Sequence, residues 1–134
     1  MLLEIDHHSG VPIYRQVMDQ IRRQIVAGQL PESEQLISVR ELAEQLKVNP
    51  MTISKAYTML ELEGFLERQR GVGLFIAKLR KDQKGQTKIR LLEQMLARAV
   101  ATAVQLEIPE EKTRQIIARL YQKHGFPLRS HSDD

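Results

Sequence analysis

The chain has 134 residues, 42% of them hydrophobic and 28% charged, a formal net charge of +3 and no cysteine. That length fits one domain, or a small one with an appendage, and leaves no room for a second large ligand-binding domain. The composition excludes wholesale disorder, and the missing cysteines exclude disulfide staples and thiolate chemistry.

In chain order, the first periodic segment runs from Val11 to Ala27, with Ile13, Val17, Ile21 and Ile25 on one helical face, joined by Tyr14 and Met18. Pro12 suits its first turn and Gly28 its end. The stretch GQLPESEQLI has no periodicity and holds a proline, so a connecting loop is expected, with Leu30 and Leu36 turned inward. Ser38 to Glu41 matches a capping box, predicting a second helix to about Leu46. Asn49 then caps a third helix whose first position is Pro50, and that helix continues to Glu63 and stops at Gly64. Only Lys47 and Val48 separate these two helices, which makes them a tight helix-turn-helix.

After Gly64, β-leaning residues flank Arg70-Gly71-Val72-Gly73, the pattern of a two-stranded hairpin with a glycine-bent tip. Three helices and a hairpin make a winged helix-turn-helix. The run from Arg80 to Gln86 reads as a linker or a frayed first helical turn. From about Thr87 to Leu106, apolar residues keep helical spacing over a rod of roughly 30 Å. Pro109, Glu110 and Glu111 open a shorter helix to about His124, with Ile116, Ile117, Leu120 and Tyr121 inside, giving a helical hairpin. Gly125 ends it, and residues 125–134 are expected to be a disordered tail. The predicted fold class is mainly α with a small β-hairpin. A DNA-binding domain over 1–78 precedes a two-helix dimerisation region over 79–124.

Residues 1–78 hold 9 Lys/Arg against 10 Asp/Glu, and residues 79–134 hold 11 against 7. Residues 1–78 are therefore close to neutral in total, and a nucleic-acid reading rests on where particular cations lie. The third helix offers Met51, Thr52, Ser54 and Lys55 outward, while Ile53, Ala56, Tyr57 and Leu60 face inward. Hydroxyls can meet base edges or phosphates, lysine meets guanine or phosphate, and methionine can touch a thymine methyl. Arg40 lies in the first turn of the second helix, beside free amides that favour phosphate. Arg68 and Arg70 flank the wing, and Gly71 and Gly73 allow its backbone to pass close to a sugar-phosphate rail.

Residues 10–77 resemble the DNA-binding domain of GntR-family bacterial transcription regulators. The resemblance is carried by Leu36, Ser38, Arg40, Leu42 and Ala43, by Asn49-Pro50-Met51-Thr52 with Ala56-Tyr57, and by Glu63-Gly64-Phe65 with the Gly71-Val72-Gly73-Leu74-Phe75 wing. The short two-helix tail is similar to the YtrA-like subfamily. The resemblance implies that Ser38, Arg40, Asn49, Thr52, Ser54, Lys55 and Gly71 fall where the family touches DNA. The chain departs from the pattern with Glu32-Ser33 in place of Pro-Gly, Ile37 in place of a proline, and Met51 in place of a polar residue.

The long helix carries apolar residues around nearly half its circumference, more than one short partner helix covers. Exposed, they would form a patch that soluble monomers seldom tolerate. A second copy is the expected cover, over Ile89, Leu92, Met95, Leu96, Ala99, Val100, Ala103, Leu106, Ile117 and Leu120. The bland alternative packs this stripe on the winged domain of its own chain.

His7, His8, His124 and His131 show no metal-ligand spacing, so no metal is expected. Gly71-Val72-Gly73 lacks the Lys-Ser/Thr of a P-loop and the third glycine of a dinucleotide fingerprint, and nothing clusters as a nucleophile with its base. The expected protein is thus not an enzyme and needs no cofactor. No apolar run approaches the roughly 18 residues of a membrane span, and MLLEIDHHSG lacks a secretory signal's basic-then-apolar order, so a cytoplasmic location without a membrane partner is expected. The function these readings support is a homodimeric, sequence-specific transcriptional regulator, a repressor on a palindromic operator in double-stranded DNA. A small-molecule effector is allowed for but indicated by no residue. The competing readings are a winged-helix protein-interaction module without DNA binding and a sequence-indifferent architectural DNA binder.

Overall fold

The computed structural model describes residues 1–125, in two compact units that divide after Leu91. The elements are α1 (Ile13–Val26), α2 (Val39–Leu46), α3 (Pro50–Leu62), β1 (Leu66–Gln69), β2 (Gly73–Ile76), α4 (Lys81–Gln105) and α5 (Glu110–Lys123). The expected loose tail lies, apart from Gly125, outside the described residues.

In the first unit the inward faces of α1, α2 and α3 and the hairpin close one core around Val17, Ile21, Leu42, Ile53, Leu60 and Leu66, all almost fully buried. Removing each such side chain from water contributes roughly 1.5–3 kcal/mol. Ala56 is fully buried, and its single methyl lets the backbone of α3 approach its neighbours. Tyr57 is buried too, and its hydroxyl donates to the Ile37 carbonyl at 2.8 Å, tying α3 to the segment before α2.

The helix starts follow the sequence signals. Ser38 Oγ accepts from the Glu41 amide at 3.1 Å, and Asn49 Oδ1 accepts from the Met51 amide at 2.8 Å with Pro50 behind it. In the first case the expected reciprocal bond is altered: the Ser38 hydroxyl, not its amide, donates to Glu41 Oε1 at 3.2 Å.

The helix ends share one device. Gln29, Val48, Phe65 and Ile108 each donate a backbone N–H to the carbonyl five residues back, closing α1, α2, α3 and α4 over a residue at positive φ. At Gly28 and Gly64 this left-handed turn has no Cβ to accommodate, but Lys47 (φ 56) and Glu107 (φ 57) adopt it with one.

Two expectations are corrected in this unit. Residues 33–36 are not a plain loop: Ser33 and Leu36 donate to the Ile76 and Leu74 carbonyls at 2.8 Å, the Ile76 amide donates to Glu34, and Gln35 pairs with Phe75. The segment thus lies antiparallel along β2 and covers that edge of the hairpin. Ser33, where the resemblance expects glycine, keeps the left-handed conformation at φ 73. The second correction concerns α4, which begins at Lys81 rather than at Thr87. Gln83 Oε1 accepts from the Arg80 amide at 2.9 Å, half of a capping box, and Arg80 Nε reaches Asp82 at 3.1 Å, holding that carboxyl below its usual range. Thr87 is buried and Leu91 packs against the core.

Residues 2–6 form an extended strap along α1. Gln20 binds Glu4 through both backbone groups (Oε1 from the amide at 2.9 Å, Nε2 to the carbonyl at 2.6 Å). Gln16 holds Asp6 in the same way at 2.8 and 2.9 Å, and Gln24 Nε2 donates to the Leu2 carbonyl at 2.7 Å. Leu3 and Ile5, on the alternate positions, pack against the core.

In the second unit α4 turns into α5 through Glu107, and Arg114 Nε bonds Glu110 at 2.7 Å. No described side chain of residues 92–125 is buried. Leu120 and Tyr121, expected inside, are 47% and 42% exposed, while Ile116 and Ile117 are half-buried. The reason is packing: α5 makes few close contacts with α4, so the apolar residues of both helices stay open to solvent in the single chain.

A candidate nucleic-acid interface

At about 100° per residue, the buried residues of α3 occupy one side, and the opposite crest carries Met51, Thr58 and Leu62. Met51 is 77% exposed and Leu62 81%. The sequence reading missed Thr58, although its spacing of four from Ser54 and seven from Met51 places it on the same crest.

Ser54 and Thr58 form one wall of an open groove between α3, the start of α2 and the wing, completed by Ser38, Glu41, Arg68 and Gly73. Of the candidate residues, this groove gathers Ser38, Ser54, Arg68 and Gly73. Arg40, Asn49, Met51, Thr52, Lys55, Arg70 and Gly71 do not line it. Thr52 is only half-exposed, whereas Arg40, Asn49, Arg70 and Gly71 are exposed.

The cations are not equally available. Among the described residues, Arg40 and Arg70 pair with no carboxylate. Arg68 Nη2 lies 3.1 Å from Glu61 on α3, so part of its charge is neutralised within the domain. Lys55 Nζ lies 4.1 Å from the centroid of the Tyr14 ring on α1. Asn49 spends its carbonyl oxygen on the cap, leaving its NH2 group as the donor it can offer.

The wing is shaped by its turn. Val72 donates to the Gln69 carbonyl at 2.9 Å across Arg70 and Gly71, the latter at φ 77, where a side chain would be strained. Gln35 Nε2 holds the Val72 carbonyl at 3.1 Å, and a Cβ on Gly73 would sit 2.9 Å from that same nitrogen. Gly73 therefore serves packing against Gln35 as well as the wing's outer approach. On the far side of α3, Arg22 binds Glu63 at 2.9 and 3.1 Å and Asp19 at 2.7 Å, holding α1 to the end of α3. Desolvation works against that guanidinium's charge, but the two carboxylates outweigh it and raise its pKa.

Among the described residues no cluster of His, Asp or Glu could hold a metal ion, and no helix is long and apolar enough to cross a membrane. Residues 13–76 match the family model for bacterial regulatory proteins of the gntR family. The HTH-type transcriptional repressor YtrA of Bacillus subtilis (strain 168) is 33% identical over 119 residues, 89% of this chain and 92% of the relative. A transcriptional antiterminator from Listeria monocytogenes EGD-e has a similar crystal structure, with TM-score 0.70 and 31% identity over 92% of both chains. YtrA from Sulfolobus acidocaldarius, a GntR-family transcription factor, superposes with TM-score 0.53 and 32% identity over 90% of this chain and 97% of that one. These relatives are regulators and not enzymes, and with the winged helix-turn-helix and its two following helices they establish that the chain belongs to the GntR family of bacterial DNA-binding transcriptional regulators, in its YtrA-like branch.

Proposed function

We propose that the protein is a homodimeric repressor that binds a palindromic operator, reading bases with the crest of α3 and gripping phosphates with Arg40 and the wing. The observation that carries this reading is the exposed crest of α3, with Ser54 and Thr58 walling a groove that Ser38 and Arg68 complete, while Arg40 on α2 and Arg70 on the wing are exposed and pair with no carboxylate among the described residues. Ser38, Asn49, Thr52, Lys55, Arg68, Gly71 and Gly73 complete the proposed contact set. The repressor sense is supported by the name of the Bacillus subtilis relative. Residues 1–78 serve as the DNA-binding domain and 79–124 as the dimerisation region.

The dimer is supported by exposure along α4: Ile89 58%, Leu92 46%, Met95 47%, Leu96 37% and Val100 50%, with Leu106 at 63% near its end. A second copy that covers this stripe, together with Ala99, Ala103, Ile117 and Leu120, carries two α3 helices related by a twofold axis. Such a pair meets half-sites about one helical turn, or a multiple of it, apart.

A gel-shift titration tests the reading. Arg40→Ala weakens binding to every duplex, whereas Thr52→Ala changes the order of preference among duplexes. Equal affinity of both variants and the parent for all duplexes refutes it. A protein-interaction module would instead leave DNA unbound and hold a protein partner with a shallower dependence on salt than phosphate neutralisation imposes.

A further inference from the structure

We propose that Tyr14 is a positioning residue that turns Lys55 into a phosphate contact and withdraws it from base reading. The proposal rests on the DNA-binding reading above.

An α-helix with its side chains is about 10–12 Å across and fills a major groove about 12 Å wide. Side chains on its crest therefore meet the base edges at the groove floor, and those on its flanks meet the sugar-phosphate walls. The residue types on the third helix would let Lys55 address either. Its ammonium, however, sits 4.1 Å above the Tyr14 ring on α1, so the side chain leaves the edge of the crest and leans toward α1. The ring's negative face holds the cation without neutralising it, and the ammonium's outward N–H bonds stay available to an anion.

The opposite flank behaves differently. There Arg68 is paired with Glu61, an interaction that does cancel charge. The helix thus presents a full positive charge on its α1 side, a compensated one on its wing side, and uncharged Met51, Ser54 and Thr58 between them. Tyr14 itself is half-buried in the first turn of α1 and packs on the core, so the anchor for Lys55 is rigid.

The test uses the full-length chain with two duplexes, one enriched from a random pool by the parent protein and one of random sequence. Lys55→Ala is expected to lower affinity for both by the same factor, and to reduce the slope of log K against log salt by about 0.9. Tyr14→Leu lowers both affinities by about two- to fivefold, whereas Tyr14→Phe keeps the aromatic face and binds as the parent does. In NMR spectra the Lys55 ε-protons are shifted upfield by the ring in the parent and in Tyr14→Phe, and return to the free-lysine position in Tyr14→Leu. A Lys55→Ala variant that changes the preference between the two duplexes overturns the proposal, as does Tyr14→Phe binding as weakly as Tyr14→Leu. If Tyr14→Leu fails to fold, the Lys55→Ala slope and the Tyr14→Phe spectrum decide. Absence of salt-dependent binding by the parent overturns the DNA reading beneath it, an outcome distinct from any difference among the variants.

Discussion

Replacing Tyr57 with phenylalanine removes one oxygen from a side chain that is 2% exposed, and with it the 2.8 Å bond to the Ile37 carbonyl. The ring still fills its place, so the loss is the hydrogen bond plus the unmet demand of a half-buried carbonyl, about 1.5 kcal/mol near neutral pH. In a cooperative unit the size of Met1–Leu91, each 1 kcal/mol lowers Tm by about 4–8 °C, so a fall of about 6–12 °C is expected. The pH dependence identifies the cause. Burial raises the Tyr57 pKa well above the ordinary value near 10, so the fold binds this proton more tightly than the unfolded chain does. The contribution is complete below about pH 10 and drains by about 1.4 kcal/mol per pH unit above it, while Tyr57→Phe has nothing to lose at this site. Urea denaturation at pH 7, 9, 10 and 11 should therefore show the parent more stable at first and the two curves meeting near pH 11. A gap that stays constant across that range, or no gap at pH 7, refutes the reasoning.

Leu92→Glu together with Leu96→Glu places two charges in the exposed α4 stripe and should convert the protein to monomers in sedimentation velocity, with operator affinity falling at least tenfold. Lys47→Gly and Ser33→Gly each relieve a side chain held at positive φ, and each should raise stability by about 0.5–1 kcal/mol in chemical denaturation, less than the full strain because glycine also loosens the unfolded chain. Gln20→Ala removes both bonds to Glu4 and should speed amide exchange at Glu4 by at least tenfold, while Asp6, whose amide Gln16 holds, and the core amides of α3 change far less.

The helix-turn-helix was legible because its signals are local. Ser38, Asn49 and Pro50 mark helix starts through bonds to the next turn, and the spacing of Ile53, Ala56, Tyr57 and Leu60 names a buried face without reference to any partner. The features that were not legible depend on distant residues. Nothing in Ser33-Glu34-Gln35-Leu36 shows that its backbone will pair with β2, because the partner lies some forty residues on and no alternation marks the segment. The Glu61–Arg68 pair and the Tyr14–Lys55 contact have the same origin. Lys47 and Glu107 occupy a position that glycine usually advertises, yet both helix ends were legible from the breaks that follow, Asn49-Pro50 and Pro109. The start of α4 was obscured by Gly85 in a polar run, although Arg80 and Gln83 were spaced to close its first turn.

The glutamine strap has a built-in limit of length. Neighbouring rungs on α1 are four residues apart, about 6.0 Å along the axis, whereas alternate residues of an extended chain are about 6.6–6.8 Å apart. The two scales slip past one another like the rulings of a vernier, by more than half an ångström per rung. Gln16 and Gln20 grip both backbone groups, and Gln24, two rungs out, grips only the Leu2 carbonyl. A fourth rung would gain nothing, so the pairing is finite by arithmetic: it can seat a short extended segment in a single register, and it offers no template on which a longer strand could grow.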